Sequence, residues 1–180
     1  MKRSSLLIVP IVLTCAGSAW AHPGHGDVSL VDGLVHPLLG LDHWLAMLGL
    51  GLWSCAAGIP RKAAATVFAG LAAGALLPAA LPAVEPLLAA SVLVAGLMGL
   101  MGQGRARLPA SLGLGLAGAF SLVHGNAHGQ EVAGFAAAAG AVCMSMGLMA
   151  LGWRLGANAR LQKLGPALVA LAGAGMLGFA

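Results

Sequence analysis

The stretch Val132-Ala-Gly-Phe-Ala-Ala-Ala-Ala-Gly-Ala-Val-Cys-Met-Ser-Met-Gly-Leu-Met-Ala-Leu-Gly-Trp153 runs for 22 residues without a Lys, Arg, Asp or Glu. A helix that crosses the hydrocarbon core of a bilayer needs about 17–25 mostly apolar residues, and a helix satisfies its own backbone hydrogen bonds there. Outward from this stretch the pattern recurs at residues 43–60, 63–84, 86–104, 108–130 and 164–180, in charge-free runs of 17 to 23 residues. Charged residues make up 8% of the 180-residue chain, against about 25% in soluble proteins. The pattern predicts an all-α polytopic membrane protein, a six-helix transmembrane bundle in one domain spanning residues 22–180.

Residues 1–21 have the form of a cleaved signal peptide: Lys2 and Arg3 at the start, an apolar centre from Leu6 to Leu13, and the small-x-small site Ala19-Trp20-Ala21. An uncleaved first helix is the alternative, since residues 4–26 also lack charge. The formal net charge of +4 includes Lys2 and Arg3, so the mature chain carries 4 − 2 = +2. That small excess predicts no nucleic acid binding. Cys15 falls within the signal, and Cys55 and Cys143 fall in spans, where small packing residues are expected rather than a disulfide framework. Gly70-x-x-x-Gly74 and Gly115-x-x-x-Ala119 fit the small-residue pattern that lets helices approach closely in lipid.

A mature N-terminus outside sets the direction of every span. Arg61, Lys62, Arg105, Arg107, Arg154, Arg160 and Lys163 then all fall on the cytoplasmic side, as the positive-inside rule asks. The C-terminus falls outside. All five acids (Asp27, Asp32, Asp42, Glu85, Glu131) and all six histidines (His22, His25, His36, His43, His124, His128) fall on the outer half. The rule makes no such demand of histidine. An outer face of imidazole and carboxylate suits capture of a divalent transition-metal ion from outside.

Two clusters concentrate these groups. The first is His36-Pro37-Leu38-Leu39-Gly40-Leu41-Asp42-His43. On a continuous helix His36 and His43 would stand about 10 Å apart along the axis. Pro37 disfavours helix at His36 and Gly40 loosens the next turn, so a break near the start of helix 1 is expected, bringing His36 back towards His43. Asp42 either ligates an ion, orients a histidine through its other ring N–H, or caps a helix. Met47 offers a soft sulfur one turn deeper, although packing is its commoner role.

The second cluster is His124-Gly125-Asn126-Ala127-His128-Gly129-Gln130-Glu131. His124 and His128 at i and i+4 share one helix face, and Glu131 lies on the same side. Asn126 could hydrogen-bond a ligand or water, and a merely polar outer loop is the competing reading. At the mature N-terminus, the terminal amine and the His22 imidazole can chelate one ion, whereas Pro23 lacks the amide N–H needed for a square-planar backbone site.

His36-Pro37-x-x-Gly40-x-Asp42-His43-x-x-x-Met47 and Phe120-x-x-x-His124-Gly125-x-Ala127-His128-Gly129-x-Glu131 resemble the two motifs of the HupE/UreJ family of nickel/cobalt transporters. The likeness extends along the whole chain. It implies a secondary transporter of Ni2+, or Co2+, in the bacterial inner membrane, linked to hydrogenase or urease accessory proteins. The transported ion is its cargo, and no prosthetic group is expected. Carried onto this sequence, the resemblance implies metal ligation by His36, Asp42, His43, His124 and His128, with Glu131 and Met47 as lesser candidates. A deeper path past Cys55, Met98, Cys143, Met144 and Met146 is a further expectation.

Two other functions compete. A membrane metal sensor or donor would bind the ion without moving it. An intramembrane metalloenzyme would need a water-activating site, and the chain has no His-Glu-x-x-His motif.

Overall fold

Ser29 starts the first helix by a capping box: its hydroxyl accepts from the Asp32 backbone N–H, and the Asp32 carboxylate accepts from the Ser29 backbone. It is the first described helix in a computed structural model that describes residues 29–103, 107–132 and 134–179. The expected signal peptide and the expected mature N-terminus with His22 lie outside the described residues, as do residues 104–106, 133 and 180.

Among the described residues there are seven helices, in order: α1 Leu30–Leu39, α2 Leu41–Ala56, α3 Pro60–Ala75, α4 Val84–Met101, α5 Ala110–Glu131, α6 Phe135–Gly156 and α7 Ala159–Phe179. No strand occurs among the described residues. The helices α4, α6 and α7 are long and apolar enough to cross a membrane, and α1 and α2, bent by 85°, together have the length and composition of a broken span or a re-entrant loop. The helix α3 has 16 residues, about 24 Å at 1.5 Å per residue, short of a roughly 30 Å core. In α5 the length suffices, but the polar residues from His124 to Glu131 dilute its apolar character.

The expected break is present, and of the two residues that disfavour helix it falls at Gly40 rather than Pro37. Pro37 sits inside α1, which continues to Leu39, and the chain turns at Gly40 with extended backbone. A Cβ at Gly40 would lie 2.8 Å from His43 Nδ1 and 2.9 Å from Asp42 Oδ1, so glycine is required by close approach as well as by the bend. The charge-free run 63–84 is likewise split. Its helix ends at Ala75, and residues 76–83, which include Pro78 and Pro82, form a connection that leads into α4.

Small residues set the helix partners. Gly70 and Gly74 of α3 abut the backbone of Gly118 and Leu122 of α5, and Gly125 and Gly129 of α5 abut Leu71 and Ala75 of α3, so the two run parallel. Gly51 of α2 meets Met149 and Gly152 of α6, and Cys55 meets Gly156, again in parallel. Gly96 meets Ala170 and Gly99 meets Pro166, with Gly173 at Leu93, so α4 and α7 run antiparallel. Gly115 faces open space, which removes the expected Gly115–Ala119 packing pair. Trp53, Met47, Val67, Leu71, Val92 and Met98 fill the core between these pairs.

Candidate metal centre

The bend at Gly40 and the C-terminal half of α5 deliver the two sequence clusters to one place. The His43 ring centroid lies 4.8 Å from that of His124 and 4.7 Å from that of His128. His36 stands 5.4 Å from His128 and 6.2 Å from His43. The i,i+4 pair on α5 therefore brackets the His43 ring. The second cluster is helix throughout, closing at Glu131, so the reading of it as a polar loop is set aside.

Asp42 Oδ1 lies 3.0 Å from His43 Nδ1. A carboxylate only accepts, so His43 Nδ1 carries a proton, and in the neutral ring Nε2 is left with its lone pair. That Nε2 is buried and has no hydrogen-bond partner. His124 Nδ1 and His128 Nδ1 are buried and unpartnered as well. Of the three expectations for Asp42, the geometry matches the orienting role. It makes no cap bond for α2.

Nearer the surface, His36 Nε2 lies 2.7 Å from Glu131 Oε2. One ligand atom each from His36, His128 and Glu131 fall within 4.8 Å of one another, a spacing that suits a metal ion. His128 belongs to both groups: a half-exposed one with His36 and Glu131, and a buried one with His43 and His124.

Met47 is buried in the core one turn beyond His43, among Ala46, Leu50 and Val92, and packing accounts for it. Met98 is also core, whereas Cys143 is exposed and lies off any interior path. Asn126 has a structural task instead of a ligand: its Nδ2 donates to the Ala79 carbonyl and its Oδ1 accepts from the Leu81 N–H, holding the 76–83 connection onto α5. Two serines escaped the sequence reading. Ser91 Oγ is 2.7 Å from His124 Nε2, and Ser145 Oγ is 3.3 Å from His128 Nε2. A single hydroxyl in an apolar helix gives no pattern to read, and the only available signal is that Ser91 is the sole hydroxyl of its charge-free run.

The HupE / UreJ protein family model matches residues 10–180. The chain belongs to the HupE/UreJ family. Protein HupE of Rhizobium leguminosarum bv. viciae is 33% identical over 194 residues, covering 98% of this chain and 99% of that protein. No solved structure matches. Within this family member, the four imidazoles and the two carboxylates of Asp42 and Glu131 come from α1, α2 and α5, so the cluster exists only where side chains of the bent pair meet those of α5.

Proposed function

We propose that this chain takes up Ni2+, or Co2+, across the bacterial inner membrane as a secondary transporter, for use in hydrogenase or urease maturation. One observation carries the ion-binding part. Three buried imidazole nitrogens, His43 Nε2, His124 Nδ1 and His128 Nδ1, lack partners within one cluster. An unmade hydrogen bond at a buried polar atom costs about 1–3 kcal/mol. Three at one place call for a ligand that takes lone pairs, and imidazole nitrogen suits nickel and its neighbours.

In this reading the chain crosses the membrane six times after its signal is cleaved. The parallel pairing of α2 with α6 and of α3 with α5, and the antiparallel pairing of α4 with α7, are the directions that six alternating crossings require. The broken α1–α2 element serves as the first crossing and places irregular backbone where it lines a polar site. The histidine end then faces outward. Glu131 and His36 receive the ion at the half-exposed group, and His128 passes it to His43 and His124. Mature N- and C-termini lie on the periplasmic side, and His22 adds an outer ligand. The chain carries no Gly-x-x-x-x-Gly-Lys phosphate loop, so hydrolysis of a nucleotide is not its own source of energy.

Sealed vesicles containing the purified chain and supplied with radioactive nickel test this reading. Accumulation inside, lost in His128→Ala, supports transport. Binding without accumulation would mark a sensor or donor instead.

A further inference from the structure

Ser91 lies on α4, a helix that contributes no imidazole to the cluster, and it is 2% exposed. Its Oγ is 2.6 Å from the Leu88 carbonyl oxygen and 2.7 Å from His124 Nε2. A serine hydroxyl has one proton. A carbonyl oxygen can only accept, so that proton goes to Leu88. The hydroxyl oxygen then has only lone pairs to offer His124, and Nε2 must supply the proton of the second bond. His124 is thereby held with Nε2 protonated and Nδ1 bare.

We infer that Ser91 is a positioning residue that fixes the tautomer of His124 and makes Nδ1 its ion-binding atom. The second half of this rests on the proposed function; the first half does not. The same nitrogen, Nδ1, is the buried atom without a partner, an observation independent of the hydrogen-bond chain. His43 is fixed the opposite way by Asp42, which leaves Nε2 free. The two rings would thus present different nitrogens to one ion. Ser145 cannot do the same for His128, because its hydroxyl has no carbonyl acceptor among the described hydrogen bonds and is free to donate or accept. His128, which belongs to both the half-exposed and the buried group, is left able to exchange its tautomer, while His43 and His124 are held.

The test is nitrogen NMR of the purified, metal-free chain labelled with 15N-histidine, at about pH 8, where imidazole is neutral. The His124 signals are assigned by their loss in His124→Gln. The expected result is a protonated Nε2 and a bare Nδ1 for His124. In Ser91→Ala the two tautomers mix and nickel affinity falls about 10- to 100-fold, the usual range for loss of an outer partner of a ligating histidine. Ser91→Thr keeps the hydroxyl and restores both. A bare Nε2 in the unmodified chain overturns the assignment even if nickel binds. The same holds if Ser91→Ala changes neither the signature nor the affinity. Nickel is added last. Failure to perturb any His124 signal removes the ion-binding half together with the proposed function, while the tautomer is read separately.

Discussion

His36 Nε2 and Glu131 Oε2 meet at 2.7 Å although 95 residues separate them in the chain. The pair joins α1 to the last residue of α5. Glu131→Gln keeps the shape and removes the charge. We expect the nickel concentration for half-maximal uptake to rise about tenfold, the low end of the range for altered groups around a metal site, with a smaller change in maximal rate. An unchanged half-saturation would remove Glu131 from ion capture.

His43 stands against the rings of His36, His124 and His128, and His128 is shared by the half-exposed and the buried group. His43→Ala and His128→Ala should each abolish nickel uptake while the protein still inserts in the membrane. The pair of measurements is uptake and the amount of protein in washed membranes. Retained uptake in both variants would refute the site.

Gly40→Ala tests the bend. A methyl group there would press on His43 Nδ1 and Asp42 Oδ1. The expected outcome is loss of most uptake at near-normal protein level. Gly125→Ala contrasts with it, because the methyl group would press on the Leu71 backbone of α3. Overpacking of this kind costs about 1–3 kcal/mol, so the expected readout is a lower Tm of the purified protein.

Acid should weaken binding. A ligating imidazole must be neutral, and protons compete with the ion for the same lone pair. Protonation favours the metal-free state, so affinity decreases as pH falls from neutral towards about 5, through the range where imidazole titrates. Equilibrium nickel binding across that range checks the sign, and a flat curve would count against histidine ligation.

Much of this arrangement was legible in the chain because charge-free runs and i,i+4 spacing are local. The helical class and a break beside Pro37 follow from composition and from the two residues that disfavour helix. The position of the break at Gly40 does not, since it depends on how near Asp42 and His43 come to that backbone. The end of α3 at Ala75 was also hidden. The run stays apolar to residue 84, and Asn126 and Gln130, which lie about 50 residues further on, bond the connection to α5. Cys143 reads as packing in sequence, yet its face of α6 points outward. Ser91 and Ser145 carry no local signature, because their relevance arises from rings on another helix.

If the two distant clusters form one nickel site, a bound ion takes imidazole from both of them. Nickel-edge X-ray absorption of the purified, nickel-loaded chain tests it most directly. The expected spectrum has nitrogen and oxygen ligands with the scattering pattern of several imidazoles, and imidazole scattering is lost in either His43→Ala or His124→Ala. A sulfur-ligated ion, or a spectrum unchanged in both variants, would contradict it.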